Sequence, residues 1–236
     1  MAIGLKNKET KYEATAYLLL SGGQDSFACL LWARERFARL EAIGIEYGQR
    51  HAIEVQYAKK MTEKFSVSYV CYPLDDFLSR MADSSLFTGG SHHTPHRQAS
   101  TLPASFVPNR NGLFLTIAAS HAFRKGEAHI HLITGVCQTD YSGYPDCRHA
   151  YIKAKERELA LGLDKPVSIH TPLMYKTKAE TFAMAEKAGY LKEMIEDTLS
   201  CYNGQETLHP WGRGCGECPA CRLRKKGYEE FMKGKQ

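Results

Sequence analysis

Two kinds of apolar segment alternate along the chain. Short runs rich in β-branched, aromatic and leucine side chains are typical of buried strands and comprise Ala16–Leu20, Ala42–Tyr47, Val67–Tyr72, Ile130–Thr134 and Val167–Thr171. Longer segments with a helical spacing of apolar residues lie between them and comprise Ser26–Phe37, Ala52–Phe65, Gly112–Arg124, Cys147–Leu161 and Thr177–Ala188. Strands that alternate with helices predict βαβ units. We therefore expect an α/β fold with a doubly wound, mainly parallel sheet.

The pattern changes near both ends of the chain and in one internal stretch. The predicted divisions are a polar N-terminal extension (1–14), an α/β domain (15–190) and a C-terminal segment rich in cysteine (191–236). Residues Ser79–Pro108 have little periodicity, and long loops in compact domains are usually functional or disordered. We expect this stretch to close over a ligand. Its histidines His92, His93 and His96 leave a metal site open as an alternative.

Composition limits the classes of protein to which the chain can belong. Hydrophobic residues make up 43% and charged residues 24% of the chain, as in globular proteins. No apolar run approaches the roughly 18 residues of a membrane span, and the polar N-terminus does not resemble a signal peptide. We expect a cytoplasmic protein with no membrane partner. The net charge of +5 permits an anionic ligand or a nucleic acid and requires neither.

Four of the eight cysteines crowd into one C-terminal stretch: Cys201, Cys215, Cys218 and Cys221. Two-residue gaps suit a turn that directs thiolates at one metal ion, and Gly214, Gly216 and Pro219 favour such a turn. Four thiolates with no open position are typical of a structural zinc site. A redox-active pair and an iron–sulfur cluster are the alternatives. His209 is discounted as a ligand, because four cysteines already complete the shell.

The hexapeptide Ser21-Gly22-Gly23-Gln24-Asp25-Ser26 directly follows the first predicted strand and opens the first predicted helix. Open α/β sheets bind ligands at this end of their strands. Glycines let the backbone approach a ligand, and the free amides at a helix start attract anions. The Walker A lysine and the dinucleotide fingerprint are both missing. We predict a phosphate-binding loop in which a magnesium ion lies between Asp25 and the phosphate; a capped glycine-rich turn is the alternative.

Several stretches together resemble the 7-cyano-7-deazaguanine synthase family of PP-loop ATP pyrophosphatases: SGGQDS, YGQRH, FVPNRN, ITGVCQTDYSGYPDCR, TPLMYKTKAET, LSCYNG and CGECPAC. SGG-x-DS alone indicates only the superfamily, whereas GYPDCR and the cysteine group are far narrower. The resemblance implies a fold of the adenine nucleotide α-hydrolase type, one structural zinc per chain and a homodimer. It implies the ATP-dependent conversion of 7-carboxy-7-deazaguanine and ammonia to the nitrile in queuosine biosynthesis. No stable nucleic-acid partner is expected.

The resemblance also implies site residues. The ATP-binding residues would be Leu20, Ser21, Gly22, Gly23, Gln24, Asp25, Ser26, Phe27, Ala28, Cys29 and Leu30, and the zinc ligands would be the four clustered cysteines. Asp25, Lys178 and Arg110 are the candidate catalytic residues, because cations and magnesium stabilise the charge that develops on phosphorus. Lys178 as a solvent-facing helix residue is the alternative.

Candidate substrate-binding residues follow the predicted strands: Tyr47, Gln49, Arg50, Asn111, Asp140, Tyr144, Asp146 and Arg148. Asp140 or Asp146 would accept hydrogen bonds from the guanine-like edge, and Tyr144 would stack on the base. For Asp146 the alternative is an N-cap of the helix that starts near Cys147. A thioester on Cys137 or Cys147 is a further, less favoured alternative, because adenylation already activates the acid.

Three departures from the family pattern leave local conformations open. Asn109 stands where the family usually has glycine, residues Gln205–Trp211 look inserted, and about a dozen residues precede the first strand. Three functional alternatives also stay open. They are a PP-loop enzyme that modifies tRNA, a paralogue that acts on another 7-deazaguanine acceptor, and a zinc-containing binding module in which the loop is only scaffold.

Overall fold

A computed structural model of the chain describes residues 11–48, 53–88, 94–139 and 143–235. Its strands are β1 (Tyr12–Leu19), β2 (Phe37–Glu46), β3 (Ser68–Pro73), β4 (Pro95–His96), β5 (Ala99–Pro103), β6 (Ile130–Ile133), β7 (Val167–His170), β8 (Leu208–His209) and β9 (Gly212–Arg213). Its α-helices are α1 (Gln24–Arg36), α2 (Ile53–Phe65), α3 (Phe77–Met81), α4 (Ser85–Thr88), α5 (Arg110–Arg124), α6 (His149–Leu163), α7 (Lys178–Lys187), α8 (Leu191–Glu196) and α9 (Pro219–Lys233).

The central sheet has five strands in the order β3-β2-β1-β6-β7, and all its pairs are parallel. The five strands and five helices expected from the apolar pattern are therefore confirmed. β1 and β2 begin earlier than predicted, at Tyr12 and Phe37, which pair with each other. After the buried Phe37, the early part of β2 is exposed or half-buried and carries the polar residues Arg39 and Glu41. The continuous apolar run therefore marked only the buried part of that strand.

The strand order places a topological switch at the centre of the sheet. From β1 the chain adds β2 and β3 on one side and later adds β6 and β7 on the other. Ligands in open α/β sheets bind outside the carboxyl ends of the strands at such a switch. The loop after β1 and the segment after β6 therefore border the same crevice. A Cβ on Gly135, just after β6, would lie 3.2 Å from the Asp25 Cβ.

Separate apolar cores cover the two faces of the sheet, so the doubly wound arrangement is confirmed. On one face, side chains of α1, α2, α7 and α9 pack together, with Phe27 and Phe182 fully buried. On the other face, α5 and α6 pack on the sheet through residues such as Leu115 and Ile152. Because helices shield both faces, the central strands are apolar on both sides.

The segment expected to be a long loop contains regular structure in its described part. The short helices α3 and α4 are followed by a two-stranded ribbon of β4 and β5. Leu78 and Val107 are buried in a small core of their own. The pieces are short enough that sequence periodicity cannot reveal them. Two of the three histidines, His92 and His93, lie outside the described residues, whereas His96 is buried.

The C-terminal segment packs on the α/β domain. Phe182 of α7 contacts Tyr228 and Phe231 of α9, with ring centroids 5.3 and 5.9 Å apart. The predicted domain limits stay a prediction, although β1 already starts at Tyr12, inside the predicted extension. Every helix in the described ranges is too short or too polar to cross a bilayer.

Candidate active site and metal site

The phosphate loop, Ser21–Ser26, joins β1 to α1 by a tight turn. Gly22 has φ +91°, and a Cβ there would overlap the backbone carbonyl of Glu54 on α2. Only glycine combines this backbone conformation with this close approach. The Ser26 hydroxyl donates to the Gly23 carbonyl at 3.0 Å, which fixes the turn at the start of α1. The loop thus exposes the N-terminal end of a helix to the crevice, as an anion site requires.

Asp25 and Lys178 form an ion pair inside this crevice. Lys178 Nζ lies 2.5 Å from Asp25 Oδ2, and the lysine side chain is only 11% exposed. The alternative of a solvent-facing lysine is therefore wrong. Lys178 is the first residue of α7, whose start is fixed by reciprocal hydrogen bonds between Thr177 and Glu180. This capping box directs the lysine to the loop.

Asp25 also has a free ligand position. Its second oxygen, Oδ1, is buried and has no hydrogen-bond partner among the described residues. A buried carboxylate oxygen without a partner is costly, and a hard cation is a suitable ligand for it. The loop residues therefore fit a magnesium ion bound together with a triphosphate.

The predicted ATP-binding range divides into two parts. Ser21–Ser26 lie at the carboxyl end of β1, whereas the side chains of Phe27, Ala28, Cys29 and Leu30 are fully buried in the core below. Leu20 is also buried. The groups that face the crevice thus belong to the hexapeptide, and the following residues hold α1 against the sheet.

A second group of side chains surrounds Arg110 at the start of α5. The guanidinium donates to the Tyr47 hydroxyl at 3.3 Å, and the Tyr47 ring packs against Phe87 and Phe114. Burial raises the pKa of Glu54 to about 7, although the charge of Arg110 opposes this shift. Arg110 therefore lies among aromatic rings and next to a carboxyl group, as a site for a planar polar ligand requires. We call these residues and their neighbours described below the Arg110 cluster.

Asp146 and Tyr144 complete the Arg110 cluster from the segment after β6. Asp146 is buried, and its Oδ2 accepts from the backbone amide of Asn111 at 2.9 Å. Tyr144 OH lies 2.6 Å from Ser105 Oγ. The alternative for Asp146, an N-cap of the helix beginning near Cys147, is wrong. Pro145–Cys147 form a 3-10 turn, and α6 begins only at His149 with Arg148 as its N-cap, so Asp146 caps α5 instead.

The other predicted substrate residues differ in position. Arg148 is exposed and borders a cleft of about 120 Å³ that is also lined by Cys137, Gln138, Gly143 and Tyr144. The Asn111 side chain donates to Cys147 Sγ at 3.3 Å. Gln49, Arg50 and Asp140 lie outside the described residues.

Sequence reasoning missed three side chains of the Arg110 cluster: Glu54, Ser105 and Tyr202. Burial raises the pKa of Tyr202, and the same tyrosine interacts with Tyr144 and Arg110. Tyr202 directly follows a predicted metal ligand, and Glu54 lies in the first turn of α2, the helix after the second strand, so its place at a helix start was a usable signal for Glu54. Ser105 carried no signal, because its contact with Tyr144 depends on the ribbon of β4 and β5.

The four clustered cysteines converge on one point. The Sγ atoms of Cys201, Cys215, Cys218 and Cys221 lie within 4.8 Å of one another. Tetrahedral zinc with Zn–S bonds of about 2.3 Å places sulfurs about 3.8 Å apart, and Cys215 Sγ lies 3.9 Å from Cys221 Sγ. Backbone amides of Glu217 and Cys218 donate to Cys215 Sγ at 3.4 and 3.3 Å, which favours a thiolate there. The residues therefore fit a tetrahedral metal ion.

The structure shows the conformations of two segments that depart from the family pattern, the turn at Asn109 and residues Gln205–Trp211. Asn109 has φ +56°, a left-handed conformation that asparagine tolerates and glycine adopts freely. Residues Gln205–Trp211, which we interpret as an insertion relative to the family pattern, include β8 and the turn that leads to β9, and Cys201 lies beside the other three cysteines. His209 Nε2 lies 3.0 Å from the Gly214 carbonyl oxygen and its ring stacks on Trp211, so its exclusion from the thiolate group is confirmed.

A parallel sheet with a glycine-rich loop at its switch point is the fold of the PP-loop class of proteins. Among solved structures, a 4-thiouridine synthetase in complex with RNA and ATP covers 93% of this chain and 50% of its own, with a TM-score of 0.50 and 18% identity. That similarity concerns the fold alone.

The family is defined by sequence. The model of the family "Queuosine biosynthesis protein QueC" matches residues 15–232, and the chain belongs to this family. A curated relative from Wolinella succinogenes, named 7-cyano-7-deazaguanine synthase, is 46% identical to this chain over 92% of the chain and 93% of the relative. Another from Helicobacter pylori is 45% identical over 92% and 96%. One from Rhodopseudomonas palustris is 43% identical over 94% and 97%. Such relatives imply that the chain is an enzyme.

Proposed function

We propose that this protein is an ATP-dependent 7-cyano-7-deazaguanine synthase, a C–N ligase of queuosine biosynthesis. Its substrates would be 7-carboxy-7-deazaguanine, ammonia and ATP. The observation that carries the proposal is the Asp25–Lys178 pair in a phosphate loop that adjoins the Arg110 cluster, since Gly22 of the loop packs against the backbone of Glu54 in that cluster. The names of the relatives and their coverage of nearly the whole chain support the same reaction.

The reaction needs activation because a carboxylate has no good leaving group. Transfer of AMP from ATP to the acid releases pyrophosphate and gives an acyl adenylate. Ammonia then attacks the carbonyl carbon, AMP leaves, and a proton is released as the primary amide forms. A second AMP transfer, to the amide oxygen, releases pyrophosphate again, and one of the two N–H protons leaves as the adenylated imidate forms. Loss of AMP and of the remaining N–H proton then forms the C≡N bond, so that two ATP molecules are split for each nitrile.

The loop residues would bind the triphosphate and stabilise its charge. Backbone amides at the start of α1 and the ammonium of Lys178 would contact the phosphate oxygens, where charge develops in each transfer. Asp25 would position Lys178 through Oδ2 and offer Oδ1 to magnesium. Magnesium neutralises phosphate charge and favours the departure of pyrophosphate.

The Arg110 cluster would bind the deazaguanine. Arg110 is a suitable partner for the substrate carboxylate, because a guanidinium binds a carboxylate through two parallel hydrogen bonds. Tyr144 would stack on the base beside the cleft, and Asp146, whose Oδ2 already holds α5, would offer its other oxygen to the base. Gln49, Arg50, Asn111, Asp140 and Arg148 stay proposed contacts.

The cysteine site would hold one structural zinc ion. Its four thiolates leave no open position for a substrate, which favours a structural role over catalysis. The homodimer implied by the family resemblance and the cytoplasmic location expected from the sequence belong to the same proposal.

A product assay tests the function directly. The purified protein is incubated with Mg-ATP, ammonium and 7-carboxy-7-deazaguanine, and nucleotide and deazaguanine products are separated by chromatography and mass spectrometry. We expect AMP, pyrophosphate and the nitrile, with two AMP formed for each nitrile. ADP in place of AMP would contradict the PP-loop chemistry, and intact ATP with no nitrile would contradict the function.

A further inference from the structure

A second segment of the chain, Thr198–Cys201, lies against the phosphate loop and ends at the first cysteine ligand. We call this segment the strap. The Leu199 amide donates to the Gly22 carbonyl at 3.0 Å, and the Ser200 hydroxyl accepts from the Gln24 amide at 3.1 Å. The strap thus contacts the loop by a backbone and a side-chain hydrogen bond, from 176 residues away in sequence.

The fit between strap and loop depends on the absence of a side chain at Gly23. A Cβ on Gly23 would lie 3.2 Å from Ser200 Oγ and 3.5 Å from the Leu199 carbonyl oxygen. The first distance is tight, so the serine would have to shift by a few tenths of an ångström, whereas the second is an ordinary contact. Gly23 therefore leaves room for the strap to pack on the loop, whereas Gly22 leaves room for the backbone of α2.

One face of α9 holds both ends of the strap. Cys218, Cys221 and Arg224 follow one another at three-residue spacing, so they lie along the same side of the helix. The first two belong to the metal site together with Cys201, the last residue of the strap. Arg224, 1% exposed, donates to the carbonyl of Thr198, the first residue of the strap, at 3.3 Å.

Arg224 carries a charged side chain, which is rarely buried. Hydrogen bonds and neighbouring negative charges explain why it is buried here. Its other donors bind the carbonyls of Met194 and Trp211 at 2.5 and 3.0 Å. Burial lowers the pKa of Arg224 to about 10, and the negative charges of Cys221 and Asp25 oppose this shift. The guanidinium therefore stays charged near neutral pH. A divalent metal with four thiolates carries a net negative charge, and the adjacent guanidinium offsets it.

The same helix also approaches the other side of the loop. A Cβ on Gly227, three residues after Arg224, would overlap Lys178, the partner of Asp25. The metal site, the strap and the Lys178–Asp25 pair are therefore all packed against a single helix face.

We infer that Ser200 is a residue of the nucleotide site and that the metal on Cys201 holds it there; this rests on the proposed function. A serine hydroxyl has one donor and two acceptor positions. Ser200 uses an acceptor position for the Gln24 amide, and no second hydrogen bond to this hydroxyl occurs among the described residues. Its proton remains available to a phosphate oxygen beside the loop, where the unpartnered Asp25 Oδ1 independently indicates a cationic ligand.

The test is the affinity for a triphosphate that the enzyme cannot split, magnesium α,β-methylene-ATP, measured by calorimetry on the metal-containing protein. Ser200→Ala is expected to weaken binding about tenfold, as for one hydrogen bond to a charged group, while metal content and Tm stay near wild type. Thr198→Val is the matched control. It removes a hydroxyl from the same strap, but one that donates to Met194 O and not to the loop, and we expect affinity within about twofold of wild type.

Metal retention provides a second readout. Coupling between two sites is reciprocal, so the nucleotide analogue should slow metal release to a chelator severalfold in the wild type and have little effect in Ser200→Ala. Unchanged affinity in Ser200→Ala, equal weakening in Thr198→Val, or loss of metal from Ser200→Ala would each overturn the inference. If the wild type binds no nucleotide, the proposed function itself fails, which separates the two results.

Discussion

The phosphate loop and the Arg110 cluster adjoin each other but are built in different ways. The loop is a single hexapeptide between one strand and one helix; contact with α2 requires glycine at Gly22, and Gly23 packs closely against the strap. The Arg110 cluster draws single side chains from segments that are far apart, among them Tyr47, Ser105 and Tyr144. A local motif depends on backbone geometry, whereas a dispersed cluster depends on the packing that brings its elements together.

The difference predicts that the two regions respond to different changes. The loop should be sensitive to the C-terminal segment that covers it, and the Arg110 cluster should be sensitive to the start of α5. Variants that separate nucleotide binding from substrate binding test this comparison.

The largest effect is expected from loss of a metal ligand. Cys221→Ser should abolish metal binding and lower the free energy of unfolding by about 3 kcal/mol or more, because the metal contributes to folding. Metal analysis and thermal unfolding check this. Cys71→Ser, at a half-buried cysteine on β3, is the control and should retain the metal. A Cys221→Ser protein with full metal content would show that the thiolate group is not the binding site.

Loss of the lysine in the loop should mainly affect catalysis. Lys178→Met is expected to lower the rate of pyrophosphate release about 10²–10³-fold, as for a group that stabilises developing charge. Lys176→Met is the control, because Lys176 pairs with Glu180 at the surface. Equal rates for the two variants would mean that the pair with Asp25 is only structural.

In the Arg110 cluster, Arg110→Met should raise the KM for the deazaguanine acid about 10–100-fold, the cost of a lost hydrogen bond to a charged group. Nucleotide affinity should change less than about twofold, because the contacts of Arg110 are to the Arg110 cluster. Steady-state kinetics and calorimetry check this, with exposed Arg124→Met on the same helix as the control. Loss of nucleotide affinity would contradict a separation of the two regions.

A histidine group away from both regions predicts the response to acid. Burial lowers the pKa of His131 to about 4, and the charges of His129 and His170 add to this shift. The unfolded chain keeps a histidine pKa of about 6.5, so it binds more protons than the folded chain between these values. Stability should fall by about 2 kcal/mol between pH 7 and pH 5, and further as the pH approaches 4.

Urea unfolding at pH 7 and pH 5 measures the effect. His131→Gln should flatten the pH dependence over this range, since the group with the most clearly lowered pKa is gone. An equal slope in both proteins would assign the acid sensitivity to other groups.

The smallest effect concerns the turn before Arg110. Asn109→Gly should change the free energy of unfolding by less than about 0.5 kcal/mol, because glycine adopts the left-handed conformation without strain. Asn109→Ala should cost about 1 kcal/mol, because alanine does not. Chemical unfolding compares them, and equal costs would indicate that the hydrogen bond from Tyr151 to Asn109 matters more than the backbone.

Contiguous patterns made much of this molecule predictable. Buried strands are continuous apolar runs, the phosphate loop is one hexapeptide, and the last three cysteines follow at two-residue gaps. The N-cap considered as the alternative role of Asp146 named the wrong helix, because a carboxylate can cap a neighbour in space as well as its own successor in sequence. The ribbon of β4 and β5 escaped detection, since two short strands have no measurable period.

By itself, the sequence determined the order of the strands along the chain, the loop that ends the first one, and which cysteines form a group. The tertiary structure decided which distant groups meet. Asp25 and Lys178 are 153 residues apart and Gln24 and Ser200 are 176 apart, and only the packing of α7 and α9 on the sheet brings them together. Hydrogen bonds and ion pairs act over a few ångströms, so their partners depend on that packing and not on separation along the chain.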